Sequence, residues 1–188
     1  MSYGYNFNYY EPNDDSYIFV DFITELDIKN KIIVDLGCST CVLTDVVNKN
    51  NLVISTDINK LALKQVINED YNLICTDLLK GIRISYIDII IFNAPYVPDE
   101  EESEYKDKSL GGAILEGGED GCDVIDQFIK FINENECKMI YLLCIKANEN
   151  KQRIADRIDE KYAVRLVREK KIVGETIRIY EIINKYRN

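Results

Sequence analysis

The amino-acid sequence contains no histidine among its 188 residues. Nucleophilic sites of the Ser-His-Asp or Cys-His type are therefore excluded, and any reaction must proceed without an imidazole base. The six cysteines are scattered, and only Cys38 and Cys41 form a C-x-x-C pair. Without histidine or a second such pair, a structural zinc site lacks ligands, so we expect no metal. We expect reduced, buried cysteines, with a redox dithiol at Cys38 and Cys41 as the alternative.

Basic residues and long apolar runs are also scarce. Lys and Arg number 23 against 33 Asp and Glu, which gives a net charge of −10 and a pI near 4.6. Because tight nucleic-acid binding depends on Lys and Arg, we expect no direct nucleic-acid contact and favour a basic protein surface as partner. No apolar run approaches the ~20 residues of a membrane span, and residues 1–8 do not resemble a signal peptide. We expect a cytoplasmic location, with the nucleus as the alternative, and one domain over residues 1–188.

Short apolar runs rich in β-branched residues alternate with helical patterns, which predicts βα units around a mostly parallel sheet. An opening helix is predicted with Asp15 or Ser16 as its N-cap. The predicted strands cover residues 31–36, 52–56, 72–75, 87–92 and 139–145, and a closing antiparallel hairpin around Gly174 joins residues 164–170 to 176–183. Further helices are predicted over residues 42–48, 60–68, 123–133 and 151–161. Residues 98–121 show no clear period, and loops of that length are usually functional or mobile.

Polar or small residues follow three of the predicted strands. Gly37 lies at a strand-to-helix turn of the kind that lets backbone approach a cofactor, although two further glycine positions hold Ser39 and Cys41. Asp57 ends the next strand, ~20 residues after Gly37, a spacing that places a carboxylate on ribose hydroxyls. Asp77 follows the third strand, where it can accept from an adenine amino group. The alternative for each is structural: a tight turn, support for a helix N-cap, or a turn residue.

The fourth motif, Asn93-Ala94-Pro95-Tyr96, follows the apolar strand at residues 87–92. Ligands of open α/β sheets bind at the carboxyl ends of strands. A delocalised amide or aromatic amine nitrogen becomes a better nucleophile when acceptors hold its NH₂ and build up negative potential. Asn93 Oδ1 and the Ala94 carbonyl can supply such acceptors, Tyr96 can stack on the planar group, and Pro95 stiffens the turn. No base of high pKa is required, because the proton can leave after methyl transfer. The structural alternative is an ordinary proline turn after a strand.

Together these segments resemble the class I methyltransferases of the HemK-like group. More narrowly, the chain is similar to the eukaryotic and archaeal enzymes that methylate the glutamine of the GGQ motif in class 1 release factors. The segments that carry the resemblance are Tyr10-Glu11-Pro12-Asn13-Asp14-Asp15-Ser16, Asp35-Leu36-Gly37, Thr56-Asp57-Ile58-Asn59, Thr76-Asp77-Leu78, Asn93-Ala94-Pro95-Tyr96, Gly117-Gly118-Glu119-Asp120-Gly121 and Gly174-Glu175-Thr176. The family's N-P-P-Y reads N-A-P-Y here, and the turn after Gly37 has lost two glycines.

The resemblance implies a Rossmann-like fold with a seven-stranded, mostly parallel sheet, and S-adenosylmethionine as cofactor. The implied cofactor contacts are Ser16, Asp35, Gly37, Asp57, Ile58, Asp77, Leu78 and Asn93. The implied catalytic residues are Asn93, Ala94, Pro95 and Tyr96, of which Asn93 and Tyr96 face the substrate. The departures at Ser39 and Cys41 affect the expected cofactor affinity more than the cofactor's identity.

The resemblance also implies a heterodimer with a small zinc-binding activator protein. The expected strand order leaves Leu73, Ile74 and Cys75 at an edge of the sheet, where a partner strand can pair. We therefore expect the activator at this edge. An acidic run from Asp99 to Glu104 is either a solvated surface or a surface that steers a basic substrate loop toward the site.

Three alternative functions stay open on the sequence alone. The Asn93–Tyr96 motif also serves nucleic-acid adenine methyltransferases, against which the acidic balance and the missing target-recognition domain argue. A protein lysine methyltransferase is disfavoured, because an alkylamine needs neither planar stacking nor paired acceptors. A catalytically silent scaffold that binds cofactor or partner is the third, because the glycine turn is altered.

Overall fold

The apolar, β-rich runs of the sequence become the strands of one sheet. The computed structural model describes residues 10–98, 117–118 and 120–187. The strands are β1 (Ile32–Leu36), β2 (Leu52–Asp57), β3 (Asn72–Cys75), β4 (Ile89–Asn93), β5 (Met139–Ile145), β6 (Tyr162–Lys171) and β7 (Thr176–Asn184). The α-helices are α1 (Asp14–Glu25), α2 (Val42–Val47), α3 (Lys60–Gln65), α4 (Asp123–Glu134) and α5 (Ile154–Arg157). Short 3₁₀ helices cover Asn48–Asn50, Ile84–Tyr86 and Lys146–Glu149.

The strand order places the site of ligand binding. Within the described residues the order is β3-β2-β1-β4-β5-β7-β6. Strands β1 to β5 are parallel, while β7 runs antiparallel to β5 and β6, and Gly174 lies in the hairpin turn with a φ of 88°. The predicted fold class, a seven-stranded, mostly parallel sheet with a C-terminal antiparallel hairpin, is confirmed. Because the order reverses between β1 and β4, their carboxyl ends form the switch point where ligands of open sheets bind.

Helices cover both faces of the sheet. Phe92 of β4 packs edge-on against Phe128 of α4, with ring centroids 4.9 Å apart. Tyr141 of β5 makes a similar contact with Phe22 of α1, at 5.4 Å. Phe92 pairs with Leu142, and successive strand residues point to opposite faces, so Phe92 and Tyr141 lie on opposite sides. Helices α1 and α4 therefore cover opposite faces, which explains the nearly continuous apolar run of β4.

The N-terminal end of α1 differs from its prediction. Asn13, not Asp15 or Ser16, is the N-cap, and its side chain accepts a hydrogen bond from the Asp14 backbone N–H at 2.9 Å. Asp15 and Ser16 lie within the first turn and are buried. The local pattern could not separate these candidates, because Asn, Asp and Ser are all strong N-caps. The side chain of Asp15 is thereby available for contacts outside the helix.

The helix predicted over residues 151–161 is also wrong in extent, because only the four residues of α5 are helical. Asn133 of α4 binds the backbone at the C-terminal end of α5. Its amide donates to the Arg157 carbonyl and accepts from the Asp159 backbone N–H, both at 2.9 Å. Within the described ranges, no helix combines the length and apolar character needed to cross a membrane.

Strand β4 begins at Ile89 rather than at residue 87. Asp88 ends the irregular segment before it, because its carboxylate accepts from the Ile32 backbone N–H at 2.9 Å and pairs with Lys138 at 2.8 Å. The other predicted strands and helices agree with the observed ones to within three residues at each end.

All six cysteines are free thiols, and five of them are buried as predicted. Cys75 is exposed instead, because it lies on the edge strand β3. Cys38 and Cys41 pack in a small apolar cluster with Leu63. Their mutual hydrogen bond and burial raise the pKa of the Cys38 thiol. A thiol of raised pKa is a poor nucleophile, so the structure favours packing over a redox dithiol.

Candidate active site

The loop after β1, residues 37–41, keeps the backbone of a glycine-rich turn although it has a single glycine; we call it the β1 loop. Gly37, Ser39 and Cys41 all have positive φ, at 67°, 41° and 62°. A residue with a side chain pays roughly 1 kcal/mol in this left-handed region. Ser39 and Cys41 therefore adopt a left-handed conformation that favours glycine, with some backbone strain.

Asp57, at the end of β2, accepts a hydrogen bond from the backbone of the β1 loop. Its Oδ2 accepts from the Ser39 backbone N–H at 2.8 Å, and its Oδ1 accepts from the Asn59 backbone N–H at 2.7 Å. Burial raises the pKa of the Asp57 carboxyl, while these backbone hydrogen bonds lower it. Asn59 also caps α3 by accepting from the Leu61 backbone N–H at 2.9 Å. Asn59 therefore caps α3, while the nearby Asp57 contacts the β1 loop.

Asp35 lies beneath the β1 loop and is almost completely buried. Its Oδ2 accepts from Thr44 Oγ1 at 2.7 Å, and Thr44 Oγ1 lies 2.6 Å from Ser55 Oγ. Its other oxygen, Oδ1, has no hydrogen-bond partner among the described residues. Burial raises the pKa of Asp35 to about 7. Asp35 therefore presents an unpaired acceptor next to the β1 loop, and its carboxyl changes charge near neutral pH.

The turn after β4, Asn93 to Tyr96, carries an amide whose orientation is set by a buried carboxylate; we call it the β4 turn. Asn93 Nδ2 donates to Asp15 Oδ2 at 2.8 Å. Because a carboxylate only accepts, the NH₂ end of the amide must face Asp15 and Oδ1 must face away. Asn93 Oδ1 is buried and lacks a partner within the described part of the chain. Ala94 beside it is buried, and Pro95 is half-buried.

Tyr96, the last residue of the β4 turn, is held at its hydroxyl by the C-terminal hairpin. Its OH donates to Glu175 Oε1 at 3.4 Å, and Glu175 lies between β6 and β7. Burial raises the pKa of Tyr96, and the charges of Asp15 and Glu175 raise it further. Burial and the Asp15 charge also raise the pKa of Glu175. The β4 turn thus has a neutral tyrosine and two carboxyl groups beside it.

Tyr10 connects the β4 turn with the β1 loop. Its hydroxyl donates to Asp15 Oδ1, and its backbone carbonyl accepts from Ser39 Oγ at 2.8 Å. A hydrogen-bond path therefore runs from Asn93 through Asp15 and Tyr10 to Ser39, and on to Asp57. Ser16, a predicted site residue, is buried next to this path, with its Oγ 3.5 Å from Asp15 Oδ1.

The end of β3 is less closely joined to the rest. A backbone bond from the Thr76 N–H to the Asp57 carbonyl, at 2.9 Å, links it to β2. Asp77 is partly exposed and pairs with Lys80. Leu78 adopts a φ of 48°, which is rare for a bulky residue, and Ile58 is exposed beside Asp57. The structure thus places Asp77 and Leu78, two of the predicted cofactor contacts, after β3 and next to β2 without joining them to the hydrogen-bond path.

Unpaired buried atoms indicate what the site can hold. In the described residues, four buried side-chain polar atoms lack a partner, and three of them are Asp35 Oδ1, Thr56 Oγ1 and Asn93 Oδ1. Asp35 and Asn93 lie on the same face of the neighbouring strands β1 and β4, whereas Thr56 pairs with Leu36 and points to the opposite face. Because buried polar atoms are almost always paired, Asp35 Oδ1 and Asn93 Oδ1 fit a polar ligand that donates hydrogen bonds.

Sequence reasoning missed three contributors to this site. It treated Asp15 as a possible N-cap, and it quoted Tyr10 and Glu175 only as parts of longer segments. The signal that could have found Asp15 is that the motif already supplies Asn13 as a cap. The acidic run from Asp99 to Glu104 lies outside the described residues, and so does Glu119 of the glycine-rich segment.

Comparison with known proteins agrees with this geometry. Neither a scan against protein-family models nor a search of curated protein sequences gave a match. Among solved structures, the chain is 36% identical to a chain of the E. cuniculi Mtq2–Trm112 complex, responsible for the methylation of the eRF1 translation termination factor; the TM-score is 0.81 over 95% of this chain and 99% of that chain. An rRNA methylase from Streptococcus thermophilus shares the fold at 14% identity, with a TM-score of 0.54 over 93% of this chain and 99% of that one. A ribosomal protein L11 methylase from Lactobacillus delbrueckii subsp. bulgaricus does so at 14% identity, with a TM-score of 0.60 over 94% and 81%.

The strand order and the antiparallel C-terminal hairpin give the chain the fold of a class I methyltransferase. Within that class the similarity to one complex covers nearly the full length of both chains. The chain belongs to the Mtq2 family of methyltransferases. The resemblance drawn from the sequence motifs is thereby confirmed.

Proposed function

We propose that the chain transfers a methyl group from S-adenosylmethionine to the side-chain amide nitrogen of the GGQ glutamine in a class 1 release factor. The Mtq2–Trm112 complex that it resembles is responsible for methylation of such a factor, eRF1. The observation that carries the proposal is Asn93 Oδ1, a buried acceptor that Asp15 orients and no described residue occupies. We place the protein in the cytoplasm, where translation terminates, with the nucleus as the alternative, and treat residues 1–188 as one domain.

The β4 turn provides two acceptors for the glutamine amide. The NH₂ group of the substrate glutamine has two hydrogens. One donates to Asn93 Oδ1 and the other to the Ala94 carbonyl. Both bonds lie in the amide plane, so they leave the nitrogen lone pair above that plane for the reaction. Tyr96 contacts the other face of the plane. The Ala94 carbonyl is present whether residue 94 is proline or alanine, so the departure from N-P-P-Y preserves this acceptor.

The carboxyl groups beside the turn favour the charge that develops during transfer. Positive charge builds up on the amide nitrogen as the new bond forms. Asp15 polarises Asn93 through their 2.8 Å hydrogen bond, and Glu175 lies at the hydroxyl of Tyr96. Oriented negative groups of this kind stabilise a cationic transition state most strongly in a buried site. The nitrogen loses its proton afterwards, so a chain without histidine needs no dedicated base.

Asp35 Oδ1 and the β1 loop suit the cofactor. S-adenosylmethionine supplies an electrophilic methyl group when it is bound. Gly37 lets the ligand approach the backbone, Asp57 accepts from the ribose hydroxyls and Asp35 Oδ1 accepts from the amino group. Exposed Ile58 offers an apolar surface to the adenine ring. The remaining proposed contacts are Ser16, Asp77, Leu78 and Asn93.

We also propose that a small zinc-binding activator pairs with the edge strand β3; the similar E. cuniculi Mtq2 chain is in a complex with Trm112. Strand β3 has no charged residue, and one side of its backbone is unpaired within the described sheet. Leu73 is half-buried, and the side chain of Ile74 is 38% exposed. A partner strand would satisfy the backbone and cover these side chains.

Labelled methyl transfer tests the proposed activity. The acceptors are the intact release factor, a factor with the GGQ glutamine replaced, and DNA, each with and without the activator. We expect label on the intact factor alone and more of it with the activator. Label on the replaced factor or on DNA would contradict the proposal, and no label on any acceptor would indicate a silent scaffold.

Co-purification tests the activator site. An Ile74→Lys substitution places a charge in the proposed contact and should abolish capture of the activator. The matched control is Leu166→Lys on the opposite edge strand β6, where the side chain is 45% exposed. Retention of the activator by Ile74→Lys at the level of the control would rule out β3 as the interface.

A further inference from the structure

We propose that Asn148 is a positioning residue for the reaction, because its side-chain amide holds the Tyr96 carbonyl and with it the β4 turn. This inference rests on the proposed function, in which that turn binds the substrate amide. Asn148 lies in the 3₁₀ helix Lys146–Glu149 that follows β5. Asn148 is buried. The sequence did not identify it as a site residue, because it belongs to none of the motifs.

The Asn148 amide makes three hydrogen bonds in one orientation. Its Oδ1 accepts from the Ile145 backbone N–H at 2.9 Å. Its Nδ2 donates to the Tyr96 carbonyl at 3.1 Å and to the Gly121 carbonyl at 3.0 Å. This arrangement requires an acceptor on one side and two donors on the other, which only an amide of this length provides here. The side chain therefore joins the end of β5 to the β4 turn and to the segment before α4.

The contact between Tyr96 and Gly121 makes this amide necessary. A Cβ added to Gly121 would lie 2.1 Å from the Tyr96 carbonyl oxygen, so the two backbones touch directly. Both carbonyl oxygens accept from the same nitrogen, and without that nitrogen they would repel each other. A backbone hydrogen bond from the Gly117 N–H to the Val97 carbonyl, at 2.8 Å, also holds the two segments side by side.

The β4 turn depends on such contacts because it has left the sheet. The ladder between β4 and β5 ends at the pair Asn93–Leu143. Beyond that pair, Asn148 holds the Tyr96 backbone and Glu175 holds the Tyr96 hydroxyl. Loss of the Asn148 donors would move the turn relative to the cofactor, and a displacement of about 1 Å at a reacting group costs roughly 100-fold in rate.

An Asn148→Asp substitution removes both donors and keeps the size and the acceptor. We expect kcat for release-factor methylation, measured on the chain with its activator, to fall about 30-fold or more at about pH 8. The KM for the release factor and the Kd for S-adenosylmethionine should change by less than about threefold, because those ligands keep their own contacts. At about pH 5.5 the buried carboxyl takes up a proton and regains one donor, so part of the loss should be reversed. The matched control is Asn150→Asp, an exposed position in the same segment.

A spectroscopic measurement tests the same inference without any activity. The chain is labelled with 3-fluorotyrosine, and the fluorine signal of Tyr96 is identified by its loss in Tyr96→Phe. Asn148→Asp should shift or broaden that signal at about pH 8 and restore it toward the wild-type position at about pH 5.5. Asn150→Asp should leave it unchanged at both pH values.

The outcomes separate this inference from the proposed function. If the wild-type chain methylates no release factor, the proposed function fails, and the fluorine signal alone decides the role of Asn148. An unshifted Tyr96 signal in a folded Asn148→Asp chain would overturn the inference, and so would an unchanged kcat. If Asn148→Asp does not fold, Asn148→Ala removes both donors without adding charge, and the same loss of kcat and the same signal change are required of it.

Discussion

The β1 loop and the β4 turn follow neighbouring strands of one sheet, yet they are held by different means. The loop is held mainly through backbone groups, because the N–H groups of Cys38 and Ser39 donate to the end of β2 at 2.9 and 2.8 Å. The turn is held through side chains that lie 78, 52 and 79 positions away in the sequence: Asp15, Asn148 and Glu175.

This difference explains which parts of the family pattern can change. A loop held by its own N–H groups keeps its shape when glycines become Ser39 and Cys41, at the cost of local strain. A turn held by distant side chains loses its geometry when any of them is removed. Substitutions at the turn should therefore reduce the chemical step, while substitutions at the loop should change stability or cofactor affinity by small amounts.

The largest effect is expected from Asn93→Ala, which removes the oriented acceptor. We expect kcat for release-factor methylation to fall about 1,000-fold, because the acceptor interacts most strongly with the transition state. The KM for the release factor should change by less than about fivefold, since the factor keeps its other contacts. Steady-state kinetics on the chain with its activator measure both values. A loss in KM alone would mean that Asn93 binds the substrate without aiding transfer.

Next in size is Asp15→Ala, which frees the Asn93 amide to rotate and removes a carboxylate from the site. We expect about a 100-fold lower kcat. Asp15→Asn retains an acceptor for Asn93 Nδ2 and should lose only about tenfold. Asp14→Ala is the matched control, because Asp14 is the exposed neighbour in the same helical turn. Equal losses for Asp14→Ala and Asp15→Ala in the same kinetic assay would remove Asp15 from the site.

The sequence predicted the loop better than it predicted the turn, for the same physical reason. Strands such as Asn72–Cys75 and Met139–Ile145 have the predicted bounds, because local apolar pattern and β-branched residues determine them. The β1 loop and Asp57 could also be placed, since their spacing along the chain reflects their contact. The role of Asp15 could not, because its partner lies 78 residues away and its local pattern suggested a cap. The extent of α5 was predicted wrongly for a similar reason, since its end is determined by hydrogen bonds with Asn133 of another helix.

A third prediction concerns Asp35, which lies under the loop and has a pKa raised by burial to about 7. A carboxyl with a raised folded-state pKa stabilises the fold when protonated, and that stability is lost as the pH rises toward 7. The free energy of unfolding of the wild type should therefore fall between pH 5 and pH 8. In Asp35→Asn this loss is absent. The free energy of unfolding of the variant, relative to that of the wild type, should therefore be about 2 kcal/mol higher at pH 8 than at pH 5.

Urea unfolding at the two pH values measures this gain. Asp21→Asn, an exposed carboxyl on α1, is the control and should follow the wild type. A difference between Asp35→Asn and the wild type that does not vary with pH would show that the buried carboxyl does not change its charge in this range.

The smallest effect is expected from Ser39→Gly, which restores a glycine to the β1 loop. Relief of the left-handed conformation should gain about 1 kcal/mol. Loss of the 2.8 Å hydrogen bond from Ser39 Oγ to the Tyr10 carbonyl should cost about 1 kcal/mol. The free energy of unfolding in urea should therefore change by less than about 1 kcal/mol. Gly81→Ala measures the conformational cost alone, because Gly81 has a φ of 81° and an added Cβ meets no heavy atom of the described residues within 4 Å. If Ser39→Gly instead lowered stability by several times the Gly81→Ala cost, the loop would depend on a side chain as the turn does.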